Sequence, residues 1–167
     1  MILQRARLIF IFAFIAMLQT HCVSVSLESK APQKSRDVRY QSPPSAFQKF
    51  DASQVDAAWK NNATGGIISF VSECSSQNDL RLESLRNEVL QGLNEEKITK
   101  EQTTTYSGRE ALRSSLSGTV DGVASALELL IFKKDGCTYI LNLVSTPKTL
   151  STDLPHFEAF LQGFKAP

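Results

Sequence analysis

The chain is poor in the residues that do chemistry. It has two histidines, His21 and His156, with three cysteines and one tryptophan in 167 residues. It lacks a Gly-x-Ser-x-Gly elbow, which removes the common hydrolase nucleophile. It lacks a Cys-x-x-Cys pair, which argues against a dithiol oxidoreductase. Its cysteines and histidines show no metal-ligand spacing, so no metal or other cofactor is expected. Basic and acidic residues nearly balance, 18 against 17. Without a basic stripe, no nucleic acid partner is expected. No apolar run reaches the ~20 residues of a spanning helix.

What is present begins at the N-terminus. Arg5 and Arg7 open the chain, an apolar run extends from Leu8 to Leu18, and Gln19-Thr20-His21 leads to Cys22. That charge, length and order read as a secretion signal over residues 1–21. The run is too short for a permanent span. The placement of Cys22 resembles the lipobox of bacterial lipoproteins. In that family the cysteine is diacylated and becomes the mature N-terminus. The family pattern has an aliphatic residue three before the cysteine. Here Leu18 lies four before it, with Gln19, Thr20 and His21 between. Ordinary cleavage near Ser24 or Ser26 is the alternative. The resemblance implies membrane lipid as a partner through acylated Cys22. Val23, not Asp, follows the cysteine, which implies sorting to the outer membrane, facing the periplasm. With ordinary cleavage the protein is secreted or periplasmic.

Cys74 and Cys137 remain in the globular part. An even pair in an oxidising compartment is expected to form a disulfide. Such a bridge would stabilise the fold by about 4 kcal/mol in the chain-entropy model. The other readings are separately buried inert thiols, or a reactive thiol with His156 as the only available base.

Residues 22–45 are rich in Ser, Lys, Gln, Arg and Pro and read as a flexible tether behind the anchor cysteine, with a coil reach of about 25 Å. Residues 46–167 read as a single α+β domain. Phe47 and Phe50 bracket a first short strand. Val55 to Lys60 is a second, with Trp59 as a core anchor. Ile67 to Glu73 is a third. Asp79 to Asn94 is a helix, with Leu82, Leu85, Val89 and Leu93 on one stripe and Asn78 or Asp79 as cap.

Ser107-Gly108, Asp121-Gly122 and Asp135-Gly136 then recur at even spacing. Asp-Gly between apolar segments favours a type I′ hairpin. Four antiparallel strands follow, about 97–106, 109–120, 123–133 and 137–146. Val123, Leu127, Leu129 and Ile131 share one face of the third. A last helix is capped at Thr152 or Asp153, with Pro155 in its first turn. Phe157, Phe160, Leu161 and Phe164 form its apolar stripe, expected to dock on the sheet.

The order of elements resembles the PsbP-like fold, an α+β sandwich with an antiparallel meander sheet flanked by two helices. That fold is shared by extrinsic proteins of photosystem II and by a nuclear import factor. Residues 105–146 are similar to a group of uncharacterised bacterial lipoproteins, through Gly108-Arg109-Glu110-Ala111, Asp121-Gly122 and Lys134-Asp135-Gly136-Cys137-Thr138-Tyr139. The resemblance carries no catalytic or metal-binding residue onto this chain. The function expected is a non-enzymatic accessory or interaction module of the envelope with an unknown protein partner. Arg109, Arg113 and Asp121 are its exposed polar candidates. The alternative is a periplasmic carrier of a small apolar ligand, held between the Phe-rich helix and the sheet.

Overall fold

A computed structural model of the chain describes residues 33–75 and 80–167. Cys22, the leader and the expected caps Asn78 and Asp79 lie outside the described residues. The three dipeptide turns all form. Ser107, Asp121 and Asp135 have φ of 51°, 50° and 51°, and the glycine after each has φ of 74°, 77° and 76°. Two consecutive positive φ values define the type I′ turn, whose twist matches that of its strands. Each turn fixes a register: Tyr106 faces Arg109, Val120 faces Val123, and Lys134 faces Cys137.

The hairpins link β4 (Asn94–Tyr106), β5 (Arg109–Val120), β6 (Val123–Lys134) and β7 (Cys137–Ser145). The sheet is larger than this meander. β1 (Phe47–Phe50), β2 (Ala57–Asn61) and β3 (Ile67–Cys74) join it through a β3–β7 ladder. The result is one seven-stranded antiparallel sheet in the order β1-β2-β3-β7-β6-β5-β4. The β4–β5 and β6–β7 turns share one end of the sheet with Cys74. The β5–β6 turn, with Asp121, lies at the other.

In β6 every residue from Ser125 to Phe132 is buried. Burial on both faces is the mark of a covered central strand. Leu127 and Leu129 pack on one face with Leu90, Leu93 and Leu116. Leu130 and Phe132 belong to the larger core on the other face. Edge strand β4 is mostly exposed, and it is broken by register shifts at Asn94/Lys97 and Ile98/Lys100. Bulges and lysines on an edge discourage pairing with another chain.

The first helix, α1 (Leu82–Leu90), is shorter than the stripe predicts. Leu93 leaves it and lies over Gly118, where a Cβ would stand 2.6 Å from the leucine. The last helix, α2 (Leu150–Gly163), starts earlier than expected, with Thr149 at the cap position. Pro155 therefore falls in the second turn, on the exposed side. Asp153 is no cap but fully buried. Phe157, Phe160 and Phe164 dock as predicted and are at most 3% exposed. Burying such a ring is worth about 2–3 kcal/mol.

The tether reading is corrected from Gln33 onward. Cys74 N–H donates to the Gln33 carbonyl at 2.7 Å, and Arg39 exchanges backbone bonds with Lys165. Between them Ser35 bonds Ser72 and Tyr139. Tyr40 sets its ring 5.4 Å from Trp59 and 5.2 Å from Phe70. The composition of this strap is polar because one side faces water, while Val38 and Tyr40 pack on the core.

The start of α2 is tied to the β2–β3 loop by Asp153. One carboxyl oxygen accepts from Asn61 Nδ2 and Thr64 Oγ1, both at 2.9 Å, and the other from Ser145 Oγ at 2.8 Å. A Cβ on Gly66 would lie 2.2 Å from the second oxygen. Gly66→Ala should therefore cost about 2–3 kcal/mol. Gly92→Ala, in open space, should be neutral or slightly stabilising; urea unfolding midpoints read both.

Tyr106 spans from β4 to the end of α2, donating to the Leu161 carbonyl at 2.5 Å. Burial pushes its hydroxyl from 10.0 up to about 12. Between those values the unfolded chain loses a proton that the fold retains. Stability contributed by this group is whole below pH 10 and is lost as pH rises towards 12. Tyr106→Phe should remove that part of the alkaline decline, measured as the difference between the two unfolding profiles.

Candidate functional site

The end of the sheet that holds the β4–β5 and β6–β7 turns also holds the disulfide. Cys74 ends β3 and Cys137 begins β7, directly opposite in the ladder. Their Cα atoms are 4.0 Å apart and the sulfurs are bonded. Of the three readings of these cysteines, the disulfide is the one observed. His156 is not brought to them; it packs edge-on against Phe47 at 5.5 Å.

Beside the disulfide is an open recess of about 460 Å³, whose described lining runs from Ser75 and Arg109 to the stretch 133–138. The hairpin registers assemble it. Arg109 starts β5, and Lys133-Lys134 end β6, next to the Asp135-Gly136 turn. Lys134 Nζ donates to the Ala166 carbonyl at 3.1 Å, and Lys133 Nζ donates to the Leu80 carbonyl. Arg109 reaches Asp135 at 3.5 Å, with both side chains more than half exposed. A surface pair of that kind contributes little and is easily exchanged. The described lining of the recess thus carries three basic side chains and one carboxylate, with both lysine ammonium groups bonded to backbone carbonyls.

Arg113, expected at the surface, is instead largely buried beside α2. Its guanidinium donates to Glu128 at 3.2 Å and Glu158 at 2.6 Å. It also lies 5.2 Å from the centroid of the Phe157 ring. It fastens the helix to β5 and β6. On the opposite face Arg86 pairs with Glu101, which also accepts from Ser114 Oγ at 2.8 Å. Asp121 stands at the far end of the sheet, in the β5–β6 turn. The three candidates therefore part: Arg109 lines the recess, Arg113 is a fastener, and Asp121 is remote. Sequence reasoning missed Lys133 and Lys134. Their signal was two adjacent lysines ending a strand that is mostly apolar.

Among the described residues no group of three His, Cys, Asp or Glu side chains could hold a metal. No described helix is long and apolar enough to cross a membrane. The disulfide closes a loop with a sequence separation of 63. Cys74→Ser and Cys137→Ser should each lower stability by up to about 4 kcal/mol, and equally, since either removes the same constraint. Denaturant midpoints of the two variants should coincide with that of the reduced wild type.

No protein-family model matches the chain, and no curated protein matches it in sequence. Solved structures do match in fold. The chain is similar to CyanoP, the cyanobacterial PsbP of Synechocystis, with a TM-score of 0.55 and 10% identity over 83% of this chain and 96% of that one. It is similar to LpqN of Mycobacterium tuberculosis, described as involved in cell envelope biogenesis, with a TM-score of 0.55 and 11% identity over 84% and 88%. A Pseudomonas aeruginosa protein of unknown function aligns at 0.50 and 18% over 80% and 84%. Identities this low speak for architecture alone. With a seven-stranded antiparallel sheet, a Phe-rich closing helix and these neighbours, the domain has the PsbP-like fold.

Proposed function

We propose that the chain is an exported envelope protein whose domain acts as a non-enzymatic accessory or interaction module, held at a membrane by an acyl chain on Cys22. The observation that carries this reading is the Cys74–Cys137 disulfide behind a secretion-type leader. Structural disulfides persist in oxidising compartments outside the cytosol. The envelope role of LpqN, on the same fold, supports it. The outer membrane, facing the periplasm, is the placement that Val23 favours, and an envelope protein is the partner class. Nearly balanced charge leaves the acyl chain as the main anchor, since a neutral surface gains little from anionic lipid.

The carrier alternative loses its main support. It needs an apolar cavity between α2 and the sheet, and around Phe157 and Phe160 that seam is filled; the recess beside it, at Leu154 and Glu158, is lined mainly by polar and charged side chains. Phe157 is fully buried and Phe160 is 1% exposed, and Phe160 packs with Tyr40, Trp59 and Phe164.

Metabolic labelling with palmitate tests the anchor. The wild type should incorporate label and fractionate with membranes, and Cys22→Ala should do neither. An exported wild type without label would sink the lipoprotein reading, leaving ordinary cleavage near Ser24 or Ser26.

A further inference from the structure

We propose that the polar hollow between α2 and the β4–β6 part of the sheet binds a small zwitterion of the α-amino acid type, its carboxylate at Lys100 and its ammonium group at Glu128. The hollow holds about 320 Å³.

The strand registers build it. Lys100 on β4, Ser115 on β5 and Glu128 on β6 are successive partners in one rank across the sheet. Neighbouring strands lie about 4.8 Å apart, so the backbones of Lys100 and Glu128 stand about 10 Å apart with Ser115 midway. In the next rank on the same face Gln102 pairs with Arg113. Leu154 and Glu158, one turn apart on α2, make the other wall.

Charge decides the ligand class. Glu128 is only 7% exposed. Its Oε2 accepts from Arg113 at 3.2 Å, and its Oε1 has no partner among the described residues. A carboxylate so deeply placed with an oxygen unengaged is costly. Arg113 does not fully compensate it, because the same Nη2 also donates to Glu158 at 2.6 Å. One cation thus answers two carboxylates. Arg113 already reaches α2 through Glu158, so fastening the helix does not call for a second carboxylate in β6. The balancing charge is on Lys100, which lines the same hollow and forms no ion pair among the described residues. The unspent groups are therefore a carboxylate oxygen at one end and an ammonium group at the other. A simple anion would be opposed at Glu128, and a simple cation at Lys100. A dipolar molecule lying over Ser115 satisfies both ends, and the Ser115 hydroxyl and Gln102 amide supply neutral donors and acceptors between them. The volume is at the small end of ligand pockets, which suits an amino acid with a short side chain, and Leu154 gives that side chain an apolar neighbour.

The test titrates L-alanine, near neutral pH, into the isotope-labelled full-length chain in detergent micelles and follows amide shifts by NMR. The amides of Ser115 and Glu128 should move saturably, while those of Asp121 and Gly136, at the two ends of the sheet, stay still. Lys100→Ala, on an exposed edge strand and with no described partner to lose, should weaken binding about fivefold. Glu128→Gln should weaken it about tenfold or more, with unchanged shifts in β2 and β3 as the check on folding. Betaine, whose nitrogen has no N–H to donate to Glu128, should bind about tenfold more weakly than L-alanine. No saturable shift, or binding that survives both substitutions, overturns the proposal. Betaine or acetate binding as tightly as L-alanine overturns it too, because the carboxylate alone would then carry the affinity. The readout is independent of palmitate labelling, so failure here leaves the anchoring reading untouched.

Discussion

The domain depends on one long-range pairing, that of β3 with β7. Eight register pairs join strands separated by more than sixty residues of chain, from Ile67 with Val144 to Cys74 with Cys137. Without them β1–β3 would be an isolated small sheet and β4–β7 a meander with an open edge. The floor beneath α2 is built from both halves: Trp59 and Phe70 come from the first, Leu130, Phe132 and Leu141 from the second. Pairing at such separation is slow to find, because loop closure must precede the contacts that reward it. The disulfide locks one end of the same ladder, and by closing a loop with a sequence separation of 63 it removes freedom from the unfolded chain.

Once that floor exists, α2 is held by polar contacts as much as by its phenylalanines. Asp153 fixes its beginning, Arg113 its flank through Glu158, and Tyr106 its end through the Leu161 carbonyl. These groups set direction where the aromatic burial sets strength. Hydrophobic contact is tolerant of small rotations. A carboxyl group with three donors is not, and Asp153 has three. A helix with proline in its second turn gains from being positioned from outside.

Much of this was legible in the residues. The Asp-Gly turns gave the meander and its register, because few other dipeptides accept two positive φ values. The Phe157, Phe160, Leu161 and Phe164 stripe gave the docked face of α2. What escaped was set by distant contact. Leu93 belongs to the helical stripe in sequence, yet Gly118 leaves it a place outside the helix. Asp153 looks like a cap, but its partners are in a loop some ninety residues earlier. The polar strap looked like a free tether, since alternation along so few residues is too weak a signal to reveal Val38 and Tyr40. Arg113 looked solvated because its carboxylate partners lie on other elements. The recess joins two hairpin ends and could be seen only once the registers were known.

The strap has a mechanical consequence. Any load arriving from the N-terminal side meets Gln33 first, then Ser35, then the Arg39 bridge, and then the ring of Tyr40. These are small attachments arranged in series, of one or two hydrogen bonds or a single ring each, unlike the parallel rungs of the sheet. They would yield in sequence and lengthen the chain before force reached β1. The strap would thus lengthen in small steps under a load that the seven-stranded sheet, with its rungs in parallel, would resist as a unit.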